Sequence, residues 1–360
     1  MRLSAATLLL ALCACRSQTV PDTDASVVTD APATDVPDVT DAPAPEDAPD
    51  VTAPAECGVG SSAALMACVR EADLVADLAR VASPRPPGSD HHDVVRDLCA
   101  DRLTALGFTV ERHDYGTGVN VVGVRAGTDP SAPRVIVSAH YDHIAGCAGA
   151  DDNGSGVVGA LEAARVLSQA RFTRTLVVAC WDEEERGLVG SRAYAQRAMA
   201  AGESIAVAFV FEMIGYRSTE PDSQRLPAGL NLVFPRQAAQ VRENGNRGDF
   251  IALIADEAAR DHATAMERAA AAVSLPTVTL SLTRAQTGSP LYGDLQRSDH
   301  ASFWAAGFPA IQITDTAEFR NARYHCRGGA DTPDTLDGDF MRRVVQVTVG
   351  AASDALGLSP

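Results

Sequence analysis

Short apolar runs rich in β-branched residues alternate along the chain with longer stretches whose apolar positions recur at helical spacing. The runs at 108–115, 119–126, 135–139, 175–181, 206–211, 250–255, 277–282 and 310–314 read as strands. Helical spacing covers 63–81, 91–106, 156–170, 191–200, 256–273, 299–306 and 340–356. Gly107 caps the second helix, and Pro84-Arg85-Pro86-Pro87-Gly88 forces a break after the first. The stretch 219–249 is rich in Pro, Gly and Asn and reads as a long loop. Strands alternating with helices predict an α/β fold, a three-layer α/β/α sandwich around a mixed, mainly parallel central sheet with 135–139 at its centre.

The N-terminal part departs from this pattern. Residues 1–15 carry one early Arg and an apolar run of export-signal length, too short for a stable membrane span. Leu12-Cys13-Ala14-Cys15 resembles a bacterial lipobox, which implies a lipid on Cys15 and attachment to a membrane; the alternative is an ordinary secretory signal. Arg16 after the cysteine resembles outer-membrane sorting, so the expected location is the outer membrane, the cell surface or the periplasm. Residues 16–56 repeat Pro, Asp, Ala, Thr and Val, with VTDAP at Val28 and again at Val39, and read as a disordered acidic tether. The folded domain is expected over 57–360.

With 360 residues, 46% of them hydrophobic, the chain can bury one large α/β core. The net charge is −17, and ten acidic residues fall in the tether against a single Arg. No basic stripe accompanies that charge, which argues against nucleic-acid binding. Lysine is absent, and no function follows from that. An exported chain with an even number of remaining cysteines favours disulfides. Cys147 lies in the loop after His140 and Cys326 beside His325, so a Cys147–Cys326 bridge is expected across the site. Two of Cys57, Cys68 and Cys99 are candidates for a second pair, and Cys180, inside an apolar strand, for a buried free thiol.

Acidic or imidazole groups stand at the ends of the expected strands. His140 and Asp142 end the central one, and Asp151-Asp152 precede a helix start. Glu183-Glu184-Glu185 follow 175–181, Glu212 ends 206–211, and Tyr324-His325 sit in a polar loop. Open α/β sheets gather their chemistry at strand ends. Imidazole with hard carboxylates and no nearby CxxC suits Zn²⁺ with an exchangeable position. A serine nucleophile is excluded at Ser155, because Asn153 and Val157 stand where GxSxG needs glycine.

HYDH, GADDNGSG, EERGLVGS, FEMIGY and RYHCRGGADTPDTLD together resemble the zinc-dependent exopeptidases that include bacterial leucyl aminopeptidases, glutamate carboxypeptidases and glutaminyl cyclases. The resemblance spans 68–356. It implies two Zn²⁺ ions per chain, with His140, Asp152, Glu185, Glu212 and His325 as ligands and Asp152 bridging. Glu212 stands where the aminopeptidases usually carry Asp. It implies Glu184 as general base, handing a proton from water to the leaving amine. Asp142 would orient the His140 imidazole. Tyr324 would donate to the tetrahedral oxyanion. His113, His143, His262 and His300 are expected to be structural, and Ser298-Asp299-His300 to hydrogen-bond near the site rather than ligate. The expected activity is hydrolysis of peptide bonds in a peptide or protein substrate, aminopeptidase ahead of carboxypeptidase. Glutaminyl cyclisation and a non-catalytic surface protein on the same scaffold are the alternatives. Residues 219–249 and 284–297 are expected to shape the substrate pocket.

Overall fold

The computed structural model describes residues 57–359. The expected export signal, Cys15 and the acidic tether lie outside the described residues.

Eight strands form one sheet: β1 (Thr109–Asp114), β2 (Val119–Arg125), β3 (Arg134–His140), β4 (Leu176–Trp181), β5 (Ile205–Glu212), β6 (Ile251–Asp256), β7 (Thr277–Leu282) and β8 (Ala310–Thr314). Their order is β1-β2-β4-β3-β5-β8-β6-β7. The central β4-β3-β5-β8 run is parallel, as is β6 with β7. β1 with β2, β2 with β4, and β6 with β8 are antiparallel. β3 and β4 are almost wholly buried, which explains why they read as unbroken apolar runs rather than alternating ones.

The helices are α1 (Ser62–Met66), α2 (Glu71–Val81), α3 (Asp90–Ala105), α4 (Gly156–Leu167), α5 (Val189–Ala200), α6 (Leu230–Val233), α7 (Pro235–Glu243), α8 (Arg260–Ala272), α9 (Arg284–Thr287), α10 (His300–Ala306) and α11 (Gly338–Leu356). On one face of the sheet, Val135, Val137, Phe209 and Phe211 pack with α2, α3, α4, α8 and α11. On the other, Ile136, Ala208 and Val210 pack with Tyr194 of α5, Leu230 of α6 and Phe303 and Trp304 of α10. This is the expected three-layer sandwich.

Three details differ from the sequence reading. The helix expected over 63–81 is two. The Arg70 amide donates to Glu162 Oε1 (2.7 Å) and Arg165 donates to the Cys68 carbonyl (2.6 Å), so α4 intercepts the backbone groups that a continuous helix would use. The stretch 219–249 is not all loop. It holds α6 and α7, with Pro235 at the first turn of α7 and Ala238 and Val241 turned inward. Gln237 and Gln240 of α7 donate to the carbonyls of Thr279 (3.0 Å) and Thr277 (2.8 Å), docking the helix on β7. Among the described residues, Cys57, Cys68 and Cys99 form no second disulfide: all are free thiols, as is Cys180. Burial raises the Cys99 thiol, whose neighbour is Cys180 rather than either of the others.

Candidate active site

The sheet places the groups first. His140 is the last residue of β3 and Glu212 the last of the adjacent β5. Turns then decide where the remaining carboxylates point. After β4 the chain reverses with Glu183 and Leu188 in the left-handed region, and Gly187 and Leu188 donate to the Glu184 carbonyl at 2.8 and 2.9 Å. The Asp142 carboxylate accepts the amides of Glu184 (3.0 Å) and Glu185 (3.2 Å), fixing the tandem acids from outside their own loop. His140 Nδ1 meets the Asp142 carbonyl at 3.2 Å and its carboxylate at 3.5 Å, so Asp142 touches the imidazole and the tandem acids at once.

Asp152 lies in the irregular segment Ala150–Ser155 that leads into α4, and its peptide bond to Asn153 is cis. Three side chains hold this segment. Asp331 accepts from the amides of Asp151 (3.0 and 3.1 Å) and Asp152 (3.2 Å). Asn153 binds the Phe211 carbonyl (2.9 Å) and the Met213 amide (3.1 Å), tying the segment to the end of β5. Arg85 is fully buried and donates to the carbonyls of Tyr141 (2.8 Å), Ala148 (2.8 Å), Gly149 (2.9 Å) and Asp152 (3.2 Å). Gly149 has φ +59°, and a Cβ there would stand 2.3 Å from the Asp152 carbonyl, so only glycine serves. Sequence reading gave Arg85 and Asp331 no role. Arg85 lies in the Pro84–Gly88 stretch that reads only as a helix break, and Asp331 lies in a motif in which His325 is the candidate ligand.

The result is two clusters sharing one carboxylate. Asp152 Oδ1 lies 3.6 Å from His140 Nε2, which lies 3.4 Å from Glu212 Oε2. Asp152 Oδ2 lies 3.2 Å from His325 Nε2, which lies 3.2 Å from Glu185 Oε2. His140, Asp152 and Glu212 are close enough to hold one metal ion, and His143, Asp152 and Glu185 another. His143, expected to be structural, is therefore part of the site. Its Nδ1 is 2.8 Å from Glu185 Oε1 and 3.8 Å from Asp152 Oδ1, but out of hydrogen-bonding alignment with either. The signal was its place three residues after His140. His325 is held by the Cys147–Cys326 disulfide, which joins the two expected loops; His325 and Cys326 are both left-handed (φ 53° and 56°).

The electrostatics ask for positive charge. Burial opposes charge on His325, yet Asp152 and Glu185 outweigh it and raise the imidazole to about 9. Against burial, His143 and His325 hold Glu185 well below the usual carboxylate range. Burial, opposed by His140 and reinforced by Glu212, Asp299 and Glu185, lifts Glu184 well above that range. Buried His140 Nε2 and Glu185 Oε1 have no hydrogen-bond partner among the described residues. Arg85 spends its donors on backbone carbonyls, although its charge is felt by Asp152, Asp142, Asp331 and Glu185. Facing carboxylates and orphaned imidazole nitrogen fit divalent cations with N and O ligands.

Around the clusters, Ser298 donates to Glu212 Oε2 at 2.6 Å, and both Asp299 carboxylate oxygens are buried without partners. Burial pushes Asp299 up to about 7, against His140 and with Glu212. Tyr324 stacks on the His325 ring (centroids 3.9 Å apart), and its hydroxyl accepts from Arg297 (3.1 Å). From Glu212 and Tyr324 a cavity opens along the sheet, walled by Leu226 and Leu230 from the stretch 219–249, Leu295 and Arg297 from the loop 284–297, and β6, β7 and β8. Both stretches expected to shape a pocket therefore line this one. His113 and His300 are buried away from the clusters: His113 binds Asn120 and His300 the Leu295 carbonyl. His262 packs edge-on against Phe209.

The uncharacterized protein YfbL of Escherichia coli K12 is 33% identical over 224 residues, which is 59% of this chain and 64% of that protein. A probable leucine aminopeptidase of Arthroderma otae is 28% identical over 235 residues, 61% of this chain and 53% of that one. The chain thus spans less than two thirds of the length of either relative. In fold it is similar to the Legionella pneumophila LapA aminopeptidase, at TM-score 0.62, 20% identity, and coverage of 83% of this chain and 75% of that one. The family model of peptidase family M28 matches residues 120–352, from β2 through α11 and across every strand-end group described above, so the chain belongs to peptidase family M28.

Proposed function

We propose that this chain is an exported exopeptidase, an aminopeptidase by preference, with a site for two divalent cations, zinc foremost. One observation carries the reading: the two oxygens of Asp152 face different imidazoles, Oδ1 toward His140 and Oδ2 toward His325. A carboxylate so placed can bridge two cations. His140, Asp152 and Glu212 would hold one, and Asp152, Glu185 and His325 the other. His325 is preferred to His143 as the second imidazole because it meets both carboxylates at 3.2 Å. His143 would steady Glu185 through Oε1. When bound, the cations polarise the scissile carbonyl and acidify a water.

The chain's own residues do the rest. Glu184 takes a proton from the attacking water on its carboxylate and returns it to the leaving amine nitrogen. Asp142 holds the Glu184 and Glu185 amides, so the base and the ligand keep their separate directions. Tyr324 supplies an O–H to the developing oxyanion, its oxygen steadied by Arg297. The apolar cavity beside Glu212 receives the substrate's terminal side chain, and the leucine aminopeptidase named among the relatives favours the N-terminal end.

Metal content of the domain from Cys57 onward, measured alongside hydrolysis of free and N-blocked peptides, tests this. Two zinc per chain with cleavage of free N-termini is the expected result. Release of C-terminal residues from blocked peptides would make the protein a carboxypeptidase, and one zinc with cyclisation of N-terminal Gln a cyclase. Absence of both metal and turnover would end the enzymatic reading. Glu184→Gln is expected to keep metal and lose turnover. Export and anchoring belong to the same proposal: Cys15→Ser should release the full chain from the membrane fraction.

A further inference from the structure

The cavity beside Glu212 is apolar on most of its wall. Leu226, Leu230, Phe250, Ile254 and Leu280 contribute to it from α6, β6, β7 and the preceding loop. Polar groups within it are bonded to one another. Gln224 binds Arg320 (2.9 Å), Thr316 and the Arg225 carbonyl (2.8 Å). Gln237 is engaged with β7, Arg297 pairs with Glu318 and Tyr324, and Thr314 accepts the Thr316 amide (2.9 Å).

Among the buried polar groups of the lining, Gln312 is the exception. It stands on β8, is 6% exposed, lines the cavity, and its Oε1 has no hydrogen-bond partner among the described residues. A buried amide left unbonded costs on the order of 1–3 kcal/mol. A half-turn of the terminal torsion presents either its oxygen or its nitrogen. No group of the described wall bonds to Oε1, so a group that enters the cavity can supply the partner.

Depth says what that is. Glu212 pairs with Thr314 across the sheet, and Val210 with Gln312. Gln312 therefore lies two residues deeper than Glu212, about 6.6 Å along the strand. From a substrate Cα level with Glu212, leucine ends far short of that depth. The tyrosine hydroxyl, roughly 6.5 Å from its Cα by standard bond lengths, reaches it. Phenylalanine fills the same apolar wall but leaves the amide unpaired.

We infer that Gln312 sets the side-chain preference of this site: the cavity takes a long aromatic side chain with a hydroxyl at its tip, tyrosine ahead of phenylalanine and leucine. The inference rests on the aminopeptidase reading above and adds the substrate class to it. A site that hydrogen-bonds a substrate hydroxyl discriminates against the analogue lacking it, whereas a purely apolar pocket does not.

The test compares kcat/KM for Tyr, Phe and Leu p-nitroanilides with the full wild-type chain and with Gln312→Leu. Gln312→Met keeps the side-chain length and guards against a misfolded Leu variant. Wild type is expected to favour Tyr over Phe by about tenfold. Either variant should bring that ratio to within about twofold, by improving Phe relative to Tyr, with no loss in Tm because an unpaired amide has been removed. Turnover of all three substrates with Phe at or above Tyr, or a ratio unmoved by both variants, overturns the role of Gln312 and leaves the aminopeptidase reading standing. No turnover of any substrate by the zinc-loaded wild type overturns that reading and this inference with it.

Discussion

Glu212 stands between two regions built on different physics. On one side the loops carrying His140, Asp152, Glu184 and Glu185 are held by side chains bonded to backbone. Asp331 grips the Asp151 and Asp152 amides, Asp142 those of Glu184 and Glu185, and Arg85 four loop carbonyls. On the other side the cavity wall is two short helices and a loop packed on β6, β7 and β8 mainly through apolar contact, with only the neutral amides of Gln237 and Gln240 bonding to β7 carbonyls. Buried charge-assisted bonds to backbone have one geometry and fail if a partner is lost. Apolar walls tolerate exchange of one aliphatic for another. The donor loops should therefore break under single substitutions that the cavity wall would absorb.

Arg85→Met is expected to have the largest effect. It removes the Arg85 donors from the carbonyls of Tyr141, Ala148, Gly149 and Asp152, of which Gly149 keeps a backbone donor, the Gly154 amide, at a cost of at least about 3 kcal/mol. Denaturant unfolding reads that loss, and metal content should fall with it. If Arg85→Met is nearly neutral, the donor loops are not held in this way.

His325→Ala and His143→Ala sharpen the assignment of ligands. His325→Ala should lower the bound metal to one per chain and cut kcat/KM by more than about a hundredfold. His143→Ala, acting through Glu185, should keep two metals and cost about 10–100-fold in activity. Titration of metal into the stripped variants separates the two. The reverse pattern would make His143 the ligand.

Leu230→Ala thins the cavity wall. Because one side of Leu230 already faces open space, the expected cost is about 1–2 kcal/mol, below the usual range for a buried leucine. KM should change while metal content stays fixed. The smallest effect is expected from Arg197→Ala, which removes an exposed ion pair with Glu111 at the far edge of the sheet. Thermal unfolding should register less than about 0.5 kcal/mol, with no change in activity.

The same contrast explains what could be read in advance. Imidazoles and carboxylates at strand ends are conspicuous by residue type, but the set His140, Asp152, Glu185, Glu212 and His325 is legible only through the family resemblance; the structure brings these five side chains together in two clusters. The strands were legible because β3, β4 and β5 are buried on both faces. His143 was not legible as part of the site, since histidine is as often structural as functional and only its 2.8 Å approach to Glu185 decides. Helices α6 and α7 were hidden by the Pro, Gly and Asn that punctuate them, because docking on β7 rather than local propensity stabilises them.

The sequence by itself determined the layered α/β architecture, the identity of the groups at the strand ends and the loops joined by Cys147 and Cys326. Those features depend on apolar periodicity, on residue type and on two cysteines placed in loops beside candidate ligands, all of which are local. The even cysteine count alone misleads, since Cys57, Cys68, Cys99 and Cys180 are free. Tertiary structure decided that Asp152 turns one oxygen to His140 and the other to His325, that Arg85 is buried beneath the Asp152 loop, and that Gln312 lies unpaired in an apolar cavity. Each of these depends on which side chains from distant segments share a volume, and no spacing along the chain encodes that.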